Sequence, residues 1–296
     1  MLENGIEAFG LRDDAAVLQL PAGCPLVASV DSVVEGVHFD LALCGPGDVG
    51  WKALMGALSD LAAMGATPLG ALVALCVPGG AGDGELALGV MAGVAEASAA
   101  AGCPVVGGDV SESAVLTVAV TVLGTIPDGG PPAVGRSGAL AGDVLLVTGP
   151  CGASAAGLRE LRAGREGGAT GAAYRRPVAR LRDGAVARVG GVHAMIDVSD
   201  GLALDLHRLA DASGVGFVLD RVPVASGASE DEALAGGEDY ELVLAMNDSA
   251  GTVLSGAFVD GGSRLPIRIG TVVDDPQVRL LSGEALPRLG WQHRLG

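Results

Sequence analysis

Apolar residues recur along this chain with two periods, one suited to strands and one to helices, and the two alternate. Leu26-Val27-Ala28-Ser29-Val30-Asp31 reads as a strand with an acidic end. A Gly-Pro-Gly turn at 45–47 then leads into Leu54, Ala57, Leu58, Leu61 and Met64, spaced by three and four as on one helix face, with Asp48 expected as N-cap and Gly65 as the stop. The run Leu69–Val77 predicts a second strand, residues 85–101 an alanine-rich helix, and Cys103–Val106 and Val115–Ile126 two further strands. Composition breaks at Pro127–Gly142, where Gly129-Gly130-Pro131-Pro132 reads as a linker. Beyond it the pattern predicts strands at 144–147, 194–198, 215–219 and 241–246, and helices at about 153–163, 177–189 and 202–212. Each half sets an aspartate, Asp31 or Asp197, at the end of an apolar strand. Two related α+β domains are the expected class.

Length agrees, since 296 residues suffice for two domains. Charge changes the picture more: 35 acidic against 18 basic residues give a formal net charge of −17. Such a surplus repels phosphate backbones and anionic membranes, so neither is an expected partner. Aromatics at 3% leave no platform for stacking bases. Five scattered cysteines, Cys24, Cys44, Cys76, Cys103 and Cys151, with no C-x-x-C pair, read as reduced thiols of a cytoplasmic protein. Residues 1–20 lack a basic and apolar leader pattern, and no uninterrupted apolar stretch is long enough to span a bilayer.

Several chemistries are eliminated by what is missing. Lys52 is the single lysine and is followed by Ala53, so there is no G-x-x-x-x-G-K-[ST] phosphate loop. No G-x-G-x-x-G opens a helix after a strand, and His38, His193, His207 and His293 show no metal spacing. What remains is carboxylates at strand ends and in loops: Asp13-Asp14, Asp31, Asp60, Asp109, Asp197, Asp200 and the run Gly236-Gly237-Glu238-Asp239-Tyr240-Glu241. For Asp109, after Gly107-Gly108, a turn is the simple alternative. Asp60 interrupts the apolar stripe of its helix on one flank. Asp197-Val198-Ser199-Asp200-Gly201 carries the strongest signal, two carboxylates and a hydroxyl between a buried-type strand and a helix start; capping by Asp200 would account for one of the two. Oxygen ligands without His or Cys suit Mg²⁺ or Mn²⁺, and such sites commonly hold substrate phosphates.

Seven segments in order carry a resemblance. They are Asp13-Asp14-Ala15-Ala16-Val17-Leu18, Val34-Glu35-Gly36-Val37-His38-Phe39, Leu58-Ser59-Asp60-Leu61-Ala62-Ala63-Met64-Gly65-Ala66, Gly107-Gly108-Asp109, Arg136-Ser137-Gly138-Ala139, Ile196-Asp197-Val198-Ser199-Asp200-Gly201-Leu202 and Gly237-Glu238-Asp239-Tyr240-Glu241-Leu242. Together, with a terminal Gly290-Trp291, they resemble the thiamine-monophosphate kinase family. The resemblance implies a two-domain α+β architecture of the aminoimidazole ribonucleotide synthetase kind: an N-terminal mixed sheet with helices over 1–137, binding ATP and Mg²⁺ and forming a homodimer, and a C-terminal α/β sandwich over 138–296 completing the active-site cleft. It implies phosphorylation of thiamine monophosphate by ATP through direct in-line transfer with several Mg²⁺ ions. Carried over by motif, Asp14, Ser29, Asp31, Asp60, Asp109, Asp197 and Asp200 would bind metal, with Asp31, Asp60, Asp109 and Asp197 central to catalysis. Gly108, Asp109, Arg136 and Ser199 would meet ATP, and His38, Glu238 and Trp291 the thiamine end. Arg12, Val30 and Glu112 depart from the family pattern. They keep in view a nucleotide-binding paralogue without activity; another ATP-dependent synthetase of the same superfamily is the second alternative.

Overall fold

The computed structural model describes residues 6–7, 17–18, 20, 23–80, 83–248, 251–260 and 263–292. Strands β1 (Ile6–Glu7) and β2 (Val17–Leu18) form an antiparallel pair. The chain divides into two compact units, one of Met1–Leu61 and Ala66–Gly130, the other of Ala62–Gly65 and Pro131–Gly296.

The first unit is built on β3 (Leu26–Val34), α1 (Pro46–Ala63), β4 (Thr67–Pro78), α2 (Asp83–Ala101), β5 (Val105–Ser113) and β6 (Thr117–Thr125). Its strands form a mixed sheet in the order β3-β6-β4-β5, with β4 and β5 parallel and the other pairs antiparallel. Val73, Leu75, Val118, Val120 and Val122 are buried on one face of the sheet, and Leu54, Leu58 and Leu61 are buried on α1. The two helices approach to backbone contact. A Cβ on Gly50 would lie 1.9 Å from the Val90 carbonyl oxygen, and one on Gly93 1.8 Å from that of Gly47. Part of the glycine surplus is spent at that crossing. The opposite sheet face is open, with Leu26, Val30 and Leu72 at 51%, 66% and 39% exposure.

The second unit holds β7 (Val144–Val147), α3 (Ala153–Arg162), α4 (Gly168–Arg175), α5 (Leu181–Val189), β8 (Ala194–Asp197), α6 (Leu202–Ser213), β9 (Gly216–Leu219), α7 (Glu230–Ala235), β10 (Leu242–Met246), α8 (Gly251–Asp260), β11 (Ile267–Val273), β12 (Arg279–Leu281) and β13 (Glu284–Ala285). Its seven strands run β13-β12-β9-β11-β7-β10-β8. β10 shows why this sheet is covered on both faces: Val243 and Ala245 join one core with Leu202, Leu206 and Leu209 of α6, while Leu242, Leu244 and Met246 join another with Ala187 of α5 and Leu254 and Phe258 of α8. A strand buried on both sides reads as an unbroken apolar run. Residues 131–137 pack with this unit rather than the first: Val134 is buried in its second core, and the Met195 N–H donates to the Gly135 carbonyl at 2.9 Å.

Three differences from the sequence reading have physical reasons. Asp48 is not the N-cap of α1; it lies in the first turn and its carboxylate accepts the Gly45 N–H at 3.1 Å, one turn back. Asp31 lies inside β3, which continues to Val34 because β6 pairs with it along its whole length. Asp109 is no turn residue but stands within β5, which runs past Gly107-Gly108 because β4 templates it in parallel register. Among the described residues, no helix is long and apolar enough to cross a membrane.

Candidate functional site

In the first unit, Ser29 and Asp31 are two residues apart on β3 and therefore share a face, the one toward the helices. The Ser29 hydroxyl donates to Asp60 Oδ2 of α1 at 2.5 Å. Two carboxylates and a hydroxyl thus gather at the β3 edge. Val30 points the other way, onto the open face, so its departure from the family pattern does not remove a side chain from this group.

Asp31, Val120, Val73 and Gly108 form one row across the sheet. Gly108 and Asp109 are therefore at the opposite edge, roughly 14 Å away at three strand spacings. A Cβ on Gly108 would sit 2.1 Å from the Val73 carbonyl oxygen, so close strand approach requires glycine there. Asp109, paired with Ala74, is exposed and accepts the Ser111 hydroxyl at 2.8 Å. The single lysine, Lys52, is 1% exposed, and its Nζ donates to the His38 carbonyl at 3.3 Å. His38 Nδ1 accepts the Val34 N–H at 3.0 Å, so Nε2 is left to carry the ring proton.

The second unit gathers more of the expected residues. Asp197 ends β8 and is buried, and the turn after it is held from both sides. The N–H groups of Ser199, Asp200 and Gly201 all donate to Asp205 Oδ2, at 3.1, 3.0 and 3.2 Å. The carbonyls of Val198, Ser199 and Asp200 accept from the N–H groups of Tyr240 (2.9 Å), Glu238 (2.8 Å) and Trp291 (2.8 Å). One short turn therefore brings together Asp197, Ser199, Asp200, Glu238 and Trp291. Asp200 does not cap α6: Gly201 occupies that position, and Asp200 Oδ2 instead takes Arg208 Nη1 at 2.5 Å, which also reaches Asp205 Oδ1 at 2.6 Å. Arg136 is exposed, and its backbone carbonyl accepts the Ser213 hydroxyl at 3.1 Å.

Backbone strain marks the same place. Glu238 and Tyr240 hold φ of 64° and 51°, in the left-handed region that non-glycine residues rarely adopt. Asp239, between them, fastens the loop by accepting the Gly152 N–H at 2.5 Å and the Ser154 N–H at 3.2 Å at the start of α3. Burial pushes its pKa up to about 7, helped by the nearby Glu241 and resisted by those N–H donors. Glu241 is buried too, bound by Arg180 through both oxygens and by the Thr148 hydroxyl at 2.5 Å. Asp205 likewise has a raised pKa, mainly from burial.

The strand-to-helix turns before α3 and α6 are thus each closed by a carboxylate of the chain itself. Helix starts of this type attract phosphates. These two helix starts are therefore not open to an anionic ligand. Sequence reasoning did not single out Asp205, Arg208 or Asp239 for these roles. A visible signal was an aspartate one turn into a helix, four residues after glycine. Asp14 lies outside the described residues, as do Arg12 and His293. Among the described residues no three His, Cys, Asp or Glu side chains converge as a metal cluster. The donor set of Ser29, Asp31 and Asp60, and of Asp197 and Asp200, is all oxygen, which fits a hard cation and not zinc.

Residues 12–126 match the AIR synthase related protein, N-terminal domain family, and residues 141–282 match the corresponding C-terminal domain family. The thiamine-monophosphate kinase of Synechococcus elongatus is 36% identical over 95% of this chain and 90% of its own length. Among solved structures, thiamine-monophosphate kinase from Stenotrophomonas maltophilia K279a superposes with a TM-score of 0.86 at 30% identity, covering 96% of this chain and 93% of that one. AaThiL complexed with AMPPCP and TMP superposes with a TM-score of 0.82 at 29% identity, covering 95% and 91%. The chain belongs to the thiamine-monophosphate kinase family of AIR synthase related proteins.

Proposed function

We propose that this chain transfers the γ-phosphoryl group of ATP to thiamine monophosphate, giving thiamine diphosphate and ADP. The observation that carries this reading is the turn 197–201, which gathers an oxygen-donor pair, a hydroxyl, Glu238 and Trp291 within a chain so similar to thiamine-monophosphate kinases. The ATP-analogue complex of a relative supports ATP as the phosphoryl donor.

The acceptor is itself a phosphate monoester with a second pKa of about 6, so near neutral pH its oxygen needs no strong base. That oxygen forms the new P–O bond as the bond from the γ-phosphorus to the β,γ-bridging oxygen breaks, and ADP leaves with the electron pair. The work left to the protein is positioning and charge neutralisation. Mg²⁺ would supply that neutralisation: in the first unit Ser29, Asp31 and Asp60 would hold it at one sheet edge and Asp109 at the other, in the second unit Asp197 and Asp200 would hold it, and Asp14 is a further candidate ligand. Gly108 offers close backbone approach to ATP, Ser199 a hydroxyl, and Arg136 a planar cation for phosphate oxygens. Glu238 and Trp291 of the second unit suit a cationic thiazolium, and His38 of the first unit is a further candidate for the thiamine end. The N-terminal part, residues 1–137, contributes to ATP and Mg²⁺ binding and forms the homodimer, for which the open sheet face with Leu26, Val30 and Leu72 is the support. The purified chain with ATP, Mg²⁺ and thiamine monophosphate should yield thiamine diphosphate and ADP, and EDTA should stop the reaction. ATP binding without product at saturating substrate would refute the reading and favour a nucleotide-binding paralogue.

A further inference from the structure

We propose that Asp205 is a positioning residue that holds both ends of this site in place through one turn of backbone; the proposal rests on the function proposed above for the turn's neighbours. Asp205 is 1% exposed, and its Oδ2 gathers three consecutive N–H groups, those of Ser199, Asp200 and Gly201. Three successive N–H groups turned onto one oxygen force the three carbonyls before them outward. Those carbonyls, of Val198, Ser199 and Asp200, are the ones that receive Tyr240, Glu238 and Trp291. The Asp205 N–H closes the arrangement by donating to the Gly201 carbonyl at 3.0 Å. The carboxylate thereby fixes where Ser199 and Asp200 present their side chains and where the segments carrying Glu238 and Trp291 dock. Its second oxygen is taken by Arg208, so both oxygens must accept. A carboxamide cannot do this: either its NH₂ faces the three N–H groups or it faces the guanidinium.

Asp205→Asn is therefore the informative variant, made in a Trp51→Phe background so that Trp291 is the single tryptophan left. In ligand-free protein, acrylamide quenching of Trp291 should rise at least twofold over the parent. The KM for thiamine monophosphate and the Mg²⁺ concentration for half-maximal rate should each rise about tenfold or more, with the circular dichroism spectrum retained. Arg208→Met, which frees one oxygen but leaves the three N–H bonds, should keep parental quenching. Parental quenching and kinetics within twofold in Asp205→Asn, or an equal rise in quenching in Arg208→Met, would overturn the proposal. Should Asp205→Asn fail to fold, hydrogen exchange in the unmodified protein decides. Amides of Ser199, Asp200 and Gly201 should exchange at least a hundredfold slower than unbonded loop amides, and fast exchange there overturns it. If the unmodified chain does not phosphorylate thiamine monophosphate, the functional reading fails, while quenching in ligand-free protein still tests Asp205.

Discussion

The N–H of Trp291 donates to the carbonyl of Asp200 at 2.8 Å, which ties the chain's last described segment to the turn between β8 and α6. The Leu204 N–H to Leu289 carbonyl bond at 3.0 Å makes the docking two-pointed. Backbone bonds fix the segment, and Trp291 itself is half exposed. Trp291→Ala should therefore raise the KM for thiamine monophosphate by about tenfold, on the scale of ~1–2 kcal/mol for a ring facing a cation. Steady-state kinetics should show kcat and the KM for ATP within about twofold of the parent. An unchanged KM for thiamine monophosphate would remove Trp291 from the substrate site.

Asp197 and Asp60 make separable demands. Asp197 is buried at a strand end among apolar β10 neighbours, whereas Asp60 shares the Ser29 hydroxyl on a half-buried face. Replacing either by Asn keeps the shape and removes a charge. Each should lower kcat by about 10²-fold or more and raise the Mg²⁺ requirement, as expected where charge neutralisation dominates. Titrating Mg²⁺ against initial rate checks both, and a variant with parental Mg²⁺ dependence is not a ligand.

Much of this is legible in the sequence. The helix through Leu54, Leu58 and Leu61, the strand 144–147 and the pairing of Asp197 with Ser199 and Asp200 all follow from period and flanking residues, because each element buries one clear face or run. Less legible were α4, α7, α8 and β11–β13. Helix α7, for example, is six residues long and depends on a capping box between Ser229 and Glu232 rather than on an apolar stripe. β5 runs on to Ser113, past the Gly107-Gly108 pair that reads as a turn, because tight packing on Val73 is a tertiary demand no local pattern announces. The same holds for Asp205 and Asp239, whose work is to accept backbone N–H groups from other segments.

Asp239 gives the chain a pH signature. Its carboxyl ordinarily titrates near 3.8 and is raised to about 7 in the fold, chiefly by burial. Between those values the folded chain keeps a proton that the unfolded chain has released, so this group's contribution to stability falls as pH rises through that window and is level outside it. Three units correspond to an upper bound of ~4 kcal/mol. Asp239→Asn should therefore gain melting temperature relative to the parent as the pH goes from 4.5 to 8. Thermal melts in parallel at each pH test this, and a constant difference between the two proteins would refute it.

The open face of the first unit carries the last prediction. Alternation along β3 sends Val30 away from Ser29 and Asp31, and the register aligns it with Thr121 of β6 and Leu72 of β4. Ala28, Leu123 and Gly70 form the adjoining row. A patch this apolar on a protein of net charge −17 is costly to leave in water and suits a second copy of itself. The parent should run at twice the 29.1 kDa chain mass in light scattering at micromolar concentration. Val30→Asp places two carboxylates against each other across a twofold interface and should shift the protein to monomer. Because Val30 is 66% exposed within its own chain, the monomer should keep its far-ultraviolet circular dichroism. A parent that is monomeric, or a Val30→Asp variant that stays dimeric, would show that this face is not where two copies meet.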